Sequence, residues 1–355
     1  MSLRVFSLLI VCVALISALS ISVDAQVIEW GHTWGADGDY DQTAQGGVAV
    51  DPSGDVYIAG VDEIDPQKRN GSIVKFDPEG NHLWSLIWDY SRNEVFNDIA
   101  IGPNGNAYVV GWSSSYALLA AFDEDGNLLW DRIFGNPDDQ FSYRAWGIDV
   151  DGEGNIYVAG DIYNGEDYDA FIAKFDSSGS MKWIKQLKPL ENEYWEDARD
   201  VAFYEDDSGS FLYITGRWQP GVAPIAYAIL AKIDLTSTEI RWVSGVTSST
   251  YYVAVDSSGS PWTAGWYERS GVLIKMDPGT GDVTYSAKIT HSGYSYTKYY
   301  DIHVSGDDDI YLAGDLDEEA LLTKLDISDS GIQHPNLLPS ICHHLHSHVY
   351  HSILY

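Results

Sequence analysis

Apolar positions along this chain come in short runs with a period of two. In "DVYIAG" (55–60), "SIVKFD" (72–77) and "HLWSLIW" (82–88), β-branched and aromatic residues alternate or fill the run, and clusters of Asp, Gly, Ser and Asn close it. Nowhere does the 3.6-residue period of an amphipathic helix appear. The pattern predicts short strands joined by tight turns, and so an all-β fold.

The runs repeat. "DPSGDVYIAG" begins at Asp51 and returns as "DGEGNIYVAG" at Asp151, and the aromatic within it marks six copies: Tyr57, Tyr108, Tyr157, Tyr213, Trp262 and Tyr311. Each copy has a second half whose Asp is present six times, at Asp77, Asp123, Asp176, Asp234, Asp277 and Asp326. A unit therefore holds four strands: a ("GVAV", 47–50), b, c and d. Four strands at a spacing near fifty residues predict a β-propeller, in which each blade buries its neighbour's face. The sixth unit lacks strand d. "VIEWGHTWG" (27–35) matches "LLWDRIFG" (128–135), with Trp30 over Trp130, so an N-terminal strand is expected to complete the last blade. The expected fold is six four-stranded blades over residues 26–331.

The unit D-x-x-G-N-x-Y-[IV]-x-G … K-[FIL]-D-x-x-G-x-x-x-W resembles the propeller repeats of exported bacterial and archaeal proteins, often called seven-bladed propeller repeats. Its second half is similar to the tryptophan-docking repeat of quinoprotein propellers. The resemblance implies the propeller fold over residues 27–331, and implies little about activity, because such scaffolds carry binding proteins and enzymes alike.

Composition narrows the setting. Residues 1–25 hold one Arg, a long apolar run and a small-residue ending, which reads as a secretory signal, with an uncleaved N-terminal anchor as the alternative because the run is near spanning length; no later segment is long and apolar enough to cross a bilayer. The two cysteines, Cys12 and Cys342, fall outside the repeats, so no disulfide, Cys-based zinc site or Cys nucleophile is expected in the propeller. The net charge of −33 opposes nucleic acid and anionic lipid. Residues 332–355 hold six of the ten histidines and no Asp, Glu, Lys or Arg, and do not belong to the repeat. The expected place of action is outside the cell or on its surface.

Propeller connectivity puts the repeated a–b and c–d turns on one face and the long, dissimilar b–c and d–a loops on the other. Those loops include 88–97, 134–146, 190–199 and 291–300, and they carry aromatics beside carboxylates. Trp34, Trp88, Trp112, Tyr143, Tyr163, Trp195, Trp218, Trp266 and Tyr294 are the candidates for stacking a ligand, a polysaccharide or an envelope protein in the first place. The same rings could instead fill the spaces between blades. In the six a strands, positions two and four are apolar, so positions one and three should face the axial channel. That places Asp98, Asp149, Asp200, Asp301 and His303 there, either as ligands for calcium or another divalent cation or as acceptors for backbone amides of the adjacent blade. No other cofactor is expected. A binding protein is the leading reading, against a cation-dependent hydrolase, lyase or lactonase, and a structural surface-layer component.

Overall fold

The computed structural model describes residues 42–325 apart from 44–45, 66–67, 90–92, 136–140, 164, 188–192, 221–226, 238, 247–248, 292–293, 307 and 318. All its elements are strands. Blade 1 comprises β1 (Gln42–Thr43), β2 (Val48–Val50), β3 (Val56–Asp65), β4 (Lys68–Phe76) and β5 (His82–Trp88). Blade 2 comprises β6 (Glu94–Ile101), β7 (Ala107–Ser113), β8 (Tyr116–Phe122) and β9 (Leu128–Phe134). Blade 3 comprises β10 (Ser142–Val150), β11 (Ile156–Tyr163), β12 (Tyr168–Phe175) and β13 (Met181–Gln186). Blade 4 comprises β14 (Glu193–Asp206), β15 (Gly209–Pro220), β16 (Tyr227–Asp234) and β17 (Ile240–Gly245). Blade 5 comprises β18 (Thr250–Val255), β19 (Pro261–Tyr267), β20 (Ser270–Met276) and β21 (Val283–Ile289). Blade 6 comprises β22 (Thr297–Val304), β23 (Ile310–Leu316) and β24 (Glu319–Leu325). Each blade is an antiparallel meander with strand a innermost.

The hydrophobic core is divided into six wedges, each between two neighbouring blades. Val48, Ile58 and Phe76 of blade 1 pack on Tyr311, Ala313 and Leu322 of blade 6. The innermost strands touch in the order β2, β6, β10, β14, β18, β22 and back to β2, so the ring is closed. The strand expected around Trp30, the signal segment 1–25 and the tail 332–355 lie outside the described residues; among the described residues, blades 1 and 6 meet through β2 and β22.

The repeated motif builds the wedges. The six motif aromatics are buried; Tyr57 meets the docking Trp84 of its own strand d edge-on with ring centroids 6.0 Å apart, and Tyr108, Tyr213 and Trp262 lie tilted against Trp130, Trp242 and Tyr285. The docking indole then reaches the next blade: Trp84 Nε1 donates to the Glu124 carbonyl at 3.2 Å, and Trp242 Nε1 to that of Pro278 at 3.2 Å. The motif Asp folds the a–b turn, with Asp51 Oδ1 accepting the amides of Ser53 and Asp55. A lysine from strand c balances the turn carboxylates, as Lys75 does with Asp55 at 2.8 Å and Lys275 with Asp256 at 2.7 Å. Blade 2 has Gly102 in place of the Asp and Ala121 in place of the Lys, so cation and anion are absent together.

Candidate functional site

Strand a does not keep its alternation to the end. Its register against strand b slips by one residue between Phe96 and Asp98, Ala145 and Gly147, Ala198 and Asp200, Thr250 and Tyr252, and Tyr299 and Asp301. Five blades thus carry a β-bulge at the same height, and the extra residues are Asn97, Trp146, Arg199, Tyr251 and Tyr300. The residue before each bulge is buried in its blade: Phe96, Ala145, Ala198, Thr250 and Tyr299 are all fully covered. The extra residue is released from that side of the sheet, and all five line one cavity of about 260 Å³.

The closing glycine of the motif makes the bulge possible. A Cβ on Gly111 would lie 1.8 Å from the Val95 carbonyl oxygen, and one on Gly265 would lie 1.9 Å from that of Ser249. Gly160 and Gly314 face Arg144 and Lys298 in the same way, at 2.1 and 2.0 Å. The bulged strand folds back over a position where no side chain fits. A residue that reads as scaffold in the repeat therefore shapes the site.

Besides the bulged residues the cavity is lined by Tyr252, Trp266, Arg217, Val61 and Val95. Its wall is mostly aromatic: Trp266 meets Tyr300 edge-on at 5.6 Å and Tyr251 at 6.4 Å. Asp197, fully buried, holds both arginines from behind. Its Oδ2 accepts Arg199 Nε at 2.9 Å and Arg217 Nε at 2.7 Å, and its Oδ1 accepts the Arg217 amide at 3.0 Å. The Arg199 guanidinium also lies 4.4 Å from the centre of the Trp146 ring. Trp146 in turn donates its indole N–H to Asp161, whose carboxyl burial pushes up to about 6 despite that bond. The side chains are held in place before any ligand arrives.

One layer along the axis stand the predicted channel residues. Asp98, Asp149, Asp200, Asp301 and His303 line a second cavity of about 150 Å³. Asp98 accepts the amides of Ile99 and, in blade 3, Ile148, each at 2.7 Å. Asp149 accepts Val150 at 2.7 Å and, in blade 4, Phe203 at 2.6 Å; Asp200 accepts Val201 at 2.7 Å and, in blade 5, Val253 at 2.6 Å. Asp301 accepts Ile302 and, in blade 1, Val48. Both oxygens of Asp98, Asp149 and Asp200 thus serve the backbone, Asp301 accepts two backbone amides, and among the described residues no three His, Cys, Asp or Glu side chains are grouped to hold a metal ion. Burial, and for Asp98 and Asp200 the negative charge of their fellow aspartates, raises these carboxyls, with Asp301 near 7 and Asp149 near 6.

The predicted face aromatics divide. Trp266 lines the larger cavity. Trp88 stacks on Phe96 at 5.4 Å and fills the wedge between blades 1 and 2, while Tyr143 is 8 % exposed and packs into the wedge between blades 2 and 3. Those two act as packing rather than as part of the cavity wall. Tyr163 pairs with Tyr168 at 4.7 Å, Trp112 is half-buried at the end of β7, and Tyr294 is 46 % exposed; none of the three lines the cavity. Trp34 and the side chains of Trp195 and Trp218 lie outside the described residues. Arg199, Arg217, Trp146, Tyr251, Tyr252, Asn97 and Tyr300 complete the wall and were not singled out by the sequence. A polar or aromatic residue directly before position one of five of the six strands a was the available signal.

No protein-family model and no curated protein sequence matches the chain. Among solved structures it is similar to a luciferin-regenerating enzyme, at 13 % identity over 84 % of this chain and 96 % of that one, with a TM-score of 0.53. It is also similar to a glucose dehydrogenase, at 10 % identity over 84 % of this chain and 100 % of that one, with a TM-score of 0.50. At these identities the likeness is one of fold: the chain is an all-β propeller of six blades.

Proposed function

We propose that this protein is an exported, non-catalytic propeller that binds a surface polysaccharide in the axial cavity of its loop face. The observation that carries this reading is the convergence of the five bulged residues on one aromatic-walled cavity. Faces of Trp and Tyr suit the faces of sugar rings, while Arg and Asn supply donors for hydroxyls. A cavity of about 260 Å³ falls just below the ~300–1,000 Å³ range of drug-sized ligand sites. It suits one or two sugar rings better than the flat surface of an envelope protein.

The cation-dependent hydrolase, lyase or lactonase is the weaker reading. It needs channel carboxylates with oxygens to spare, and those of Asp98, Asp149, Asp200 and Asp301 are engaged with backbone amides.

A glycan microarray tests the proposal. The parent should bind a restricted set of glycans, the double variant Trp146→Ala/Trp266→Ala should lose them, and Tyr294→Ala should keep them. Absence of any bound glycan, or unchanged binding by a folded double variant, would overturn it.

A further inference from the structure

In a chain with 53 acidic and 20 basic residues, the two charged side chains that line the loop-face cavity are both arginines. They are also built in. Asp197 is fully buried and grips both guanidinium groups, with Arg199 Nη2 at 2.8 Å and Arg217 Nη2 at 2.6 Å. A single buried carboxylate thus holds two guanidinium groups at the cavity wall. An arginine exposes five donors in a planar fork, and these contacts with Asp197 occupy only some of them on Arg199. Trp146, lying 4.4 Å from that guanidinium, covers it without competing for its donors.

Resting on the polysaccharide reading above, we infer that the cavity selects a glycan bearing a uronic acid residue, whose carboxylate meets Arg199 and Arg217 while its ring stacks on the aromatic wall. A planar carboxylate matches the arginine fork in two parallel hydrogen bonds, and a neutral sugar leaves that match unused. The layer beneath is compatible with an anion: Asp98, Asp200 and Asp301 are held toward their neutral forms by burial, joined for Asp98 and Asp200 by the charge of fellow aspartates. The net charge of −33 sets the other limit. A continuous polyuronate would meet repulsion from the surrounding surface, whereas one acidic residue in an otherwise neutral chain carries its charge only into the cavity. The ligand class is therefore a neutral polysaccharide with isolated or terminal uronate residues.

The test uses the parent protein and matched probes. Disaccharides ending in glucuronic or galacturonic acid, and their methyl esters, are titrated by saturation-transfer NMR at physiological ionic strength. Acid and ester share rings and hydroxyls and differ in charge. A preference of roughly tenfold or more for at least one acid over its ester is expected, the size of a charge-assisted pair. Arg199→Gln should abolish the preference of acid over ester, and a melting curve checks that the variant is folded. Equal binding of acids and esters would overturn the uronate inference and leave the polysaccharide reading standing. Absence of binding by every sugar would overturn both. Tighter binding of a glutamate-containing peptide than of any sugar would also overturn both, in favour of an acidic protein side chain as the occupant.

Discussion

The Asp301 carboxylate accepts the backbone amide of Val48, a residue 253 positions earlier in the chain. That bond fastens the last described blade to the first at the axis. Asp98 does the same for Ile148, and Asp200 for Val253. Each aspartate sits at position one of its strand and grips position two of the next blade. Gly47 and Gly147 hold position one in blades 1 and 3, where a Cβ would lie 1.8 Å from Asp98 Oδ1 and 2.6 Å from Asp200 Oδ1. The two glycines give the carboxylates of Asp98 and Asp200 their room, while Tyr252 holds position one in blade 5.

Removing the clasp should destabilise the ring. Asp301→Ala leaves the buried Val48 amide without its acceptor and is expected to cost about 1–3 kcal/mol in urea unfolding. Asp301→Asn keeps an acceptor oxygen and relieves repulsion among the aspartates, so it should cost less. An Asn variant as damaged as the Ala variant would show that charge, rather than the amide bond, matters there.

Stability should rise on mild acidification. Asp301 near 7, and Asp149 and Asp161 near 6, bind protons more tightly in the folded chain than an unfolded aspartate does at about 3.9. Their protonation stabilises the fold progressively as pH falls through 7 and 6, and that gain is lost as pH rises again. His303, lowered to about 4 by burial, opposes this below about 6.5, because the unfolded imidazole takes its proton first. Below about 4 the exposed turn aspartates Asp77, Asp123 and Asp176, which hydrogen bonds hold low, begin to lose their folded-state advantage. A melting temperature with its maximum between about pH 4.5 and 6 is expected. A steady fall from pH 7.5 to 5 would contradict this balance.

The bulge should not tolerate a methyl group at the motif glycine. Gly111→Ala drives its Cβ into the Val95 carbonyl and should cost about 1–3 kcal/mol, as overpacking does. Gly152, whose added Cβ would meet nothing within 4 Å, is the control and should stay within about 0.5 kcal/mol of the parent on substitution by Ala. Equal melting of the two variants would separate the glycine from the bulge.

The repeat made the fold legible. Strand d of blade 1 runs over His82–Trp88, as its alternation predicts, and the turn at Asp51 forms through the side-chain bonds its residues suggest. The cavity was hidden by one inserted residue per blade. Asn97, Trp146, Arg199 and Tyr300 stand at the ends of segments that read as loops, yet they belong to β6, β10, β14 and β22. A bulge looks like one more step of a period-two pattern, so alternation taken from position one outward assigns the extra residue to the blade interior. Trp88 and Tyr143 show the converse: both read as loop aromatics, yet they belong to β5 and β10 and pack into the wedges between blades.

A crystal structure of the protein soaked with a glucuronate-terminated disaccharide tests uronate binding in the loop-face cavity most directly. A sugar ring should lie against Trp266 and Tyr251, with its carboxylate within hydrogen-bonding distance of Arg199 or Arg217. A sugar bound on the outer strands, or in the channel beside His303 and Asp149, would contradict this placement.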